Sequence, residues 1–242
     1  MADTIAAIAT GAQVAAIGII RISGPEALPI VDRLFRPASG KLMSEYEDRK
    51  LVYGRLTDLS GDLLDLCLCT VSHAPHSYTG EDTAELQCHG SPTVLRAALE
   101  ELFHAGARQA LPGEFTKRAF LNGRMELSSA EAVADIIDAE SIECAKNAAA
   151  QLSGAVAVKA DNIYSTLTDI SSHYHAVLDY PDEDIEDFRL ENYKQQLSSA
   201  ADSLRALLRS FERGKLMVSG IPAAIVGRPN AGKSSLLNAL LG

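Results

Sequence analysis

Short apolar runs alternate with turns and amphipathic segments over residues 1 to about 110. Apolar runs bounded by Gly, Pro, Ser or Asp are typical of strands, whereas apolar residues at three- and four-residue steps indicate helices. The run Ile17–Ser23 is almost wholly apolar, which predicts a strand buried on both faces. The pattern therefore predicts an α+β domain with its own core. Its expected elements are strands at Thr4–Ala9, Ile17–Ser23, Lys50–Thr57, Leu63–Val71 and Thr83–Cys88, and helices at Ala27–Phe35 and from Ser91 to about Ala105.

After Gly123 the pattern becomes helical. Ser128 stands three residues before Glu131, the spacing of a capping box, and predicts a helix start. A long amphipathic stretch follows, with a predicted break near Gly154. An acidic turn that contains Pro181 comes next. The second helix that follows it carries Leu197, Leu204, Leu208 and Phe211 on one face and is expected to end at Gly214. Because two long helices bury such stripes poorly, they resemble half of a helical bundle.

The last residues contain a phosphate-binding motif. The spacing G-x-x-x-x-G-K-[ST] is matched by Gly227, Gly232, Lys233 and Ser234 between a predicted strand, Ala223–Val226, and a predicted helix. Glycines allow backbone N–H groups to surround phosphates, and the helix N-terminus adds partial positive charge. In this motif the lysine reaches the β- and γ-phosphates, and the serine hydroxyl binds Mg²⁺. The alternative is a Gly-rich turn that precedes a helix by chance.

Composition narrows the classes of partner. Acidic residues outnumber basic ones by 32 to 22, so the formal net charge is −10. This charge disfavours sequence-independent binding to the phosphate backbone of a nucleic acid. The four cysteines lack the spacing of a disulfide framework, which predicts reduced thiols. The first residues have no signal-peptide pattern, and no apolar run reaches the ~20 residues that span a bilayer. We expect a soluble, cytoplasmic protein.

Two further groups of residues are candidate sites. Cys67 and Cys69 share one face of a predicted strand and Cys88-His89 lie on another, but C-x-C is not a zinc spacing, which favours structural cysteines. The basic residues Arg108, Lys117, Arg118 and Arg124 could contact RNA or a negatively charged ligand tail, or could form a solvated surface. Among the apolar positions, Arg21 interrupts Ile17–Ile22, and a buried Arg requires a partner.

Long motifs along almost the whole chain resemble the tRNA-modification GTPase family called MnmE or TrmE. They occur in the order of that family. The matching stretches are Asp3–Ala7, Ile17–Pro25, Ser77–Glu85, Cys88–Gly90, Pro112–Arg124, Ala130–Ala139, Gln151–Gly154, Asp179–Ile185 and the phosphate loop. Three places depart from the family's usual spelling: the loop Thr10–Ala16, Ser91 and Leu111.

The resemblance implies a domain order. It implies a tetrahydrofolate-binding and dimerisation domain over residues 1–122, similar to the folate domain of the glycine-cleavage T-protein. It further implies the first part of an all-α helical domain over 123–215 and the start of an α/β GTPase domain over 216–242. The implied partners are a second copy, a tRNA substrate and the FAD-dependent protein MnmG or GidA. With that partner, the family adds a carboxymethylaminomethyl-type group at carbon 5 of the wobble uridine of certain tRNAs, using GTP and a one-carbon unit of 5-formyl- or 5,10-methylenetetrahydrofolate.

The family's contact residues carry over to positions in this sequence. The folate contacts correspond to Arg21, Glu85 and Arg124, where Glu85 and Arg124 have plain alternatives as a solvent-facing strand residue and a helix C-terminal cation. A carboxylate suits a pterin's N–H groups, and Arg pairs with carboxylates. The resemblance also assigns Mg²⁺ to Ser234 and K⁺ to Asn230, although Asn230 alone could simply shape the loop. The nucleotide contacts correspond to Asn230, Ala231, Gly232, Lys233, Ser234 and Ser235.

Four functions remain open on these grounds. The leading one is a part of a folate- and GTP-dependent tRNA-modification enzyme. The alternatives are a non-catalytic folate-binding dimerisation module, a folate-dependent aminomethyltransferase with an appended GTPase, and a ribosome-assembly GTPase. The 242 residues contain no assignable catalytic residue and no D-x-x-G or N-K-x-D motif after the phosphate loop. We therefore expect this chain to hydrolyse no GTP.

Overall fold

The computed structural model describes residues 3–180, 190–219 and 224–241. The chain divides into two units, Met1–Val133 and Ala134–Gly242. The first is a sheet with helices, and the described part of the second is helical. The predicted acidic turn with Pro181 and most of the motif Asp179–Ile185 lie outside the described residues.

A seven-stranded sheet forms the framework of the first unit. Its strands lie in the order β3-β4-β5-β6-β2-β1-β7, and all neighbours are antiparallel except β1 and β7, which are parallel. Register places Ile17 opposite His89 and Ser23 opposite Thr83. The strands are β1 (Ile5–Ile8), β2 (Ile17–Ser23), β3 (Phe35–Pro37), β4 (Val52–Thr57), β5 (Leu63–Ser72), β6 (Thr83–His89) and β7 (Arg108–Gln109).

Three α-helices lie wholly within this unit, together with one 3-10 turn at Met43–Glu45. They are α1 (Ala27–Leu34), α2 (Pro92–His104) and α3 (Glu114–Leu121). Both α1 and α2 contact β6 and each other, and the buried apolar side chains of the sheet face them. That core holds Ile20, Ile22, Leu34, Phe35, Val71, Leu86 and Leu102, each almost fully buried.

The five strands and two helices predicted for this unit are confirmed, whereas the burial of β2 on both faces is not. Gly18, Ile20 and Ile22 are buried, but Ile17 is 58% exposed and Arg21 is half-buried. Burial alternates along the strand because successive side chains point to opposite faces of the sheet, and α1 and α2 pack against the face that carries Ile20 and Ile22. The short strands β3 and β7 and the helix α3 were not predicted.

The helical stretch consists of separate segments. They are α4 (Leu127–Ile137), α5 (Ile142–Leu152), α6 (Ala155–Asp179) and α7 (Leu190–Ser219). The predicted break at Gly154 is confirmed, since this residue adopts φ +85°. A second break, before α5, was not predicted, and there Ser141 accepts a hydrogen bond from the Cys144 backbone N–H over 3.2 Å. Many apolar side chains of α6 and α7 remain exposed, among them Leu178, Leu204 and Leu208.

Three local predictions differ from the structure in detail. A helix does start at the predicted place, but α4 begins at Leu127, because the Ala130 N–H already donates to the Glu126 carbonyl, so Ser128 lies within the first turn and is not the cap. Helix α7 continues through Gly214 to Ser219, since glycine inside a helix costs only about 1 kcal/mol. Residues 224–226 form no strand, and a strand requires a neighbour for its backbone hydrogen bonds, which no described residue of the second unit provides.

None of the four cysteines forms a disulfide, in agreement with the predicted reduced thiols. Within the described residues, no helix is both long enough and apolar enough to cross a membrane.

Candidate functional site

Arg21 and Glu85 lie opposite each other on β2 and β6. The Arg21 Nε–H donates to Glu85 Oε1 over 2.8 Å, and the two side chains are 30% and 28% exposed. This pair confirms that the arginine inside the apolar run has a partner. The sequence predicted each residue as a separate ligand contact. In the structure the two side chains bind to each other.

Two aromatic rings fix the position of the Arg21 guanidinium. Its carbon lies 5.2 Å from the centroid of Tyr78 and 5.7 Å from that of Phe115. Cation–π contacts of this kind orient the guanidinium plane. Within the described chain, no hydrogen bond occupies the two Nη atoms of Arg21. The group is therefore held at one edge and can donate to a ligand at the other.

A cavity of about 320 Å³ lies beside the pair and includes Glu85 in its wall. Tyr78, Gln87 and Thr70 also line it. The Thr70 Oγ1 atom is buried without a hydrogen-bond partner among the described residues, and such an atom costs free energy unless a ligand or water satisfies it. Sequence reasoning missed Thr70, because a threonine in a strand carries no signal of its own.

The wall of this cavity contains both apolar and polar groups. Ligand pockets combine apolar walls with a few convergent polar groups, which here include the Glu85 carboxylate, the Gln87 amide, the Thr70 hydroxyl and the Arg49 guanidinium. A larger depression, of about 500 Å³, lies along the surface of α7 against Ser199 and Asp202. Because one helix forms its whole wall, it offers no comparable convergence of groups.

Arg124 reaches the same loop as Arg21. Its Nε–H donates to the Ser77 carbonyl over 3.2 Å, and its Cγ would lie 3.2 Å from a Cβ at Gly80. The intervening Tyr78 stacks on Arg21, so one loop contacts both arginines. Arg124 is exposed and does not line the cavity. The structure thus brings Arg21 and Glu85 together. Arg124 lies against the loop of residues 77–80, which carries Tyr78.

Two members of the predicted basic cluster are engaged in ion pairs. Arg118 binds Asp3, Glu81 and Glu114, and Arg108 binds Asp3 and Glu114. Hydrogen bonds from Arg108 lower the pKa of Glu114 to about 2 and that of Asp3 to about 2. Burial opposes ionisation of Arg118, but its hydrogen bonds to Glu81 and Glu114 still raise its pKa. This network ties α3 to the start of the chain rather than offering free cations to RNA.

The phosphate loop leads into α8 (Lys233–Leu241). Gly232 adopts φ +78° and Asn230 φ +60°, and the Lys233 Nζ donates to the carbonyls of Gly227 and Arg228 over 3.1 and 2.9 Å. The ammonium group is therefore folded over the loop where the motif binds phosphate, with Ser234 next on the helix. These residues fit a nucleotide phosphate, although the flanking strand is not formed.

Three family models match the chain in sequence. Residues 4–124 match the model described as the GTP-binding protein TrmE N-terminus, and residues 127–226 match the MnmE helical domain. Residues 222–242 match a 50S ribosome-binding GTPase.

Whole-chain similarity points in the same direction. The chain is 42% identical over 240 residues to the tRNA modification GTPase MnmE of Clostridioides difficile, covering 99% of this chain and 52% of the relative. It is 43% identical over 239 residues to that of Symbiobacterium thermophilum, with the same coverage. With the protein of Carboxydothermus hydrogenoformans it shares 43% identity over 242 residues, or 100% of this chain and 52% of the relative. The chain spans about half the length of these relatives.

Proposed function

The chain belongs to the MnmE family of tRNA modification GTPases, and on that basis we propose that it carries the folate-binding part and the phosphate loop of a tRNA-modifying GTPase. The proposed domains are the folate-binding and dimerisation domain at 1–122, with a T-protein-like fold, part of the helical domain at 123–215, and the start of the GTPase domain at 216–242. The proposed location is the cytoplasm.

The Arg21–Glu85 pair beside the cavity carries the proposal for folate. The Glu85 carboxylate can accept hydrogen bonds from the amino and ring N–H groups of a pterin, while Arg21 stays beside it as a counter-charge. The Thr70 hydroxyl gains its missing partner when a polar ring enters the cavity. Arg124 suits the negatively charged tail of the same ligand. When bound, a 5-formyl- or 5,10-methylenetetrahydrofolate supplies the one-carbon unit.

The phosphate loop is the proposed site for GTP. Lys233 exchanges its two backbone carbonyl partners for the β- and γ-phosphate oxygens, while the backbone N–H groups of the loop donate to the phosphates. The Ser234 hydroxyl would hold Mg²⁺, and Asn230 would hold K⁺. The nucleotide contacts are Asn230, Ala231, Gly232, Lys233, Ser234 and Ser235.

Exposed apolar side chains on the outer face of the sheet support a homodimer. Tyr53 on β4 is 54% exposed and its register partner on β5, Leu68, is 36% exposed. Leu51 and Leu66 on the same two-strand region are 53% and 43% exposed. Clusters of this kind on a polar protein mark interaction surfaces, and two copies of this face would cover each other.

The proposed reaction needs further partners. With an FAD-dependent protein of the MnmG/GidA type, the whole enzyme adds the carboxymethylaminomethyl group to the wobble uridine of its tRNA substrate and hydrolyses GTP. The net charge of −10 makes the partner protein the expected source of attraction for tRNA. The second candidate function is a non-catalytic folate-binding dimerisation module, which the same cavity and the same apolar face support.

Isothermal titration calorimetry with 5-formyltetrahydrofolate tests the folate assignment. We expect saturable binding to the 242-residue chain and at least tenfold weaker binding to Arg21→Ala, with Arg96→Ala on α2 as the control of unchanged affinity. No heat of binding to the folded wild type would refute the site. Titration with Mg²⁺ and GTP, compared with Lys233→Ala, tests the phosphate loop separately, and binding that survives in Lys233→Ala contradicts that assignment.

A further inference from the structure

Asp65, Cys67 and Cys88 bring their side chains together between β5 and β6. Their ligand atoms, one carboxylate oxygen and two sulfurs, all lie within 4.8 Å of one another. Cys67 is 4% exposed and Cys88 is 2% exposed, and the Asp65 side chain is 10% exposed. The cluster faces the core side of the sheet, whereas Arg21, Glu85 and Thr70 belong to the opposite face. It is therefore separate from the proposed folate site.

The two thiols are hydrogen-bonded to each other, and the Asp65 carboxylate lies beside them. A hydrogen bond with Cys88, burial and the nearby Asp65 charge all raise the pKa of the Cys67 thiol. Two thiolates and a carboxylate at this spacing cannot ionise together unless a cation compensates their charge. A divalent metal ion provides that charge and displaces the thiol protons, because the thiolate is the form that binds metals.

The spacing fits a tetrahedral ion. Zinc–sulfur bonds of about 2.3 Å place two sulfurs about 3.8 Å apart in tetrahedral geometry. The ligand atoms are at most 4.8 Å apart, and small rotations of the side chains would bring the two sulfurs to that distance. Two sulfurs and one carboxylate oxygen select a soft or borderline cation over Mg²⁺ or Ca²⁺, which prefer all-oxygen sites.

His89 orients the carboxylate and marks the way in. Its backbone N–H donates to one Asp65 oxygen over 2.8 Å, and its ring Nδ1 lies 2.8 Å from the other. Hydrogen bonds to a ligating carboxylate are common behind metal ligands. The His89 side chain is 74% exposed and that of Asp65 is 10% exposed, so the carboxylate is the end of the cluster nearest the surface, and a water molecule on that side would complete the four ligands.

We propose that Asp65, Cys67 and Cys88 form a binding site for a divalent cation of the zinc class, which links β5 to β6. The C-x-C spacing of Cys67 and Cys69 concealed this site, because the second sulfur comes from the neighbouring strand. Cys69 is fully buried on the same face but does not belong to the cluster. That position supplies a matched control.

Cobalt(II) titration of the untagged 242-residue chain, under a non-thiol reductant and in a Cys144→Ser background, tests the proposal. We expect one Co²⁺ per chain, with a thiolate-to-cobalt charge-transfer band that disappears when Zn²⁺ displaces the Co²⁺. Cys67→Ser and Cys88→Ser are expected to lose the band, and Asp65→Asn to bind Co²⁺ at least tenfold more weakly. Cys69→Ser is expected to retain the band and the affinity of the wild type. No charge-transfer band, a band that persists in Cys67→Ser, or one that disappears in Cys69→Ser would each overturn the proposal.

A second measurement uses the wild-type chain alone, so its outcome does not depend on whether the variants fold. X-ray absorption at the zinc edge, on the wild-type chain with one equivalent of Zn²⁺, is expected to show two sulfur neighbours at about 2.3 Å and oxygen neighbours at about 2.0–2.2 Å. A shell of nitrogen and oxygen alone, or one with three or more sulfurs, would contradict the assigned ligand set.

Discussion

Arg21 on β2 and Glu85 on β6 form one ion pair, with 2.8 Å between Arg21 Nε and Glu85 Oε1. A ligand that binds Glu85 therefore meets a carboxylate whose charge is already compensated on one side. The same ligand finds the arginine already oriented by Tyr78 and Phe115. Preorganisation of this kind lowers the cost of ordering the site when a ligand binds.

Replacement of the Glu85 carboxylate is expected to weaken folate binding without loss of the fold. Glu85→Gln keeps the side-chain volume but converts charge-assisted hydrogen bonds to neutral ones, at a cost of about 1.5–3 kcal/mol, or roughly 10–100-fold in affinity. Calorimetry with 5-formyltetrahydrofolate measures the change, and Glu100→Gln on the exposed face of α2 serves as the control. Equal affinities for Glu85→Gln and wild type would show that the carboxylate does not bind the pterin.

Thr70→Val separates ligand binding from stability. The Thr70 Oγ1 atom is buried without a partner within the described residues, so its removal should leave the melting temperature of the free chain unchanged or higher. The same change should lower folate affinity severalfold, because the ligand loses a hydroxyl partner. Thermal melts with and without 5-formyltetrahydrofolate measure both effects. A lower melting temperature of the free variant would mean that the hydroxyl already has a partner.

The glycine of the Cys-His-Gly motif is expected to tolerate no side chain. A Cβ at Gly90 would lie 2.4 Å from the Ala15 carbonyl oxygen, where the backbones of residues 15, 16 and 90 exchange hydrogen bonds. Gly90→Ala should therefore lower the free energy of unfolding by about 1–3 kcal/mol. Gly11→Ala is the control, since no atom lies within 4 Å of the place that its added methyl group would occupy, and a surface change of this kind stays within about 0.5 kcal/mol. Urea denaturation compares the two, and equal midpoints would contradict the prediction.

A charge on the outer face of β5 is expected to disrupt the proposed homodimer. Leu68→Lys places an ammonium group in the apolar patch, and burial of an unpaired charge should raise the dissociation constant at least a hundredfold. Because Leu68 is 36% exposed in the single chain, the variant should still fold. Sedimentation equilibrium measures the association. Val14→Lys, at a side chain that is 84% exposed, is the control, and a Leu68→Lys variant that remains dimeric would exclude this face as the interface.

Acid should weaken the network that holds α3. The pKa of Glu114 is about 2 in the folded chain and its ordinary value is 4.5, so the stability that it contributes is present above about pH 4.5 and is lost as the pH falls towards 2. Glu114→Gln should lower the free energy of unfolding by about 1–3 kcal/mol at pH 6 and by less at pH 3. Denaturation at both pH values measures the difference, with Glu100→Gln as the control. A loss that is as large at pH 3 as at pH 6 would contradict the role of the charge.

Local patterns were sufficient for much of the fold. The bounds of β2 follow from its apolar residues, and the break at Gly154 follows from a residue that adopts positive φ easily. The pairing of Arg21 with Glu85 could not be predicted, because it depends on the register between strands that lie 64 residues apart. A single sequence without its fold contains no measure of that register.

The sites show the same division. The phosphate loop is a contiguous motif and was recognisable from spacing alone. The Asp65, Cys67 and Cys88 cluster was not, because two strands contribute its atoms. Thr70 was equally hidden, since the need of its hydroxyl for a partner arises only from the burial that the sheet imposes.

The parallel pairing of β1 with β7 has a consequence during synthesis. Ile5 pairs with Arg108, so the strand made first cannot complete its outer edge until more than one hundred residues have followed. At about 5–20 residues per second, that edge stays open on the ribosome for roughly 5–20 s. Unpaired edges of this kind are where nascent chains aggregate or recruit chaperones. The yield of soluble protein should therefore respond to translation speed and to chaperone supply, and not only to the final stability of the sheet.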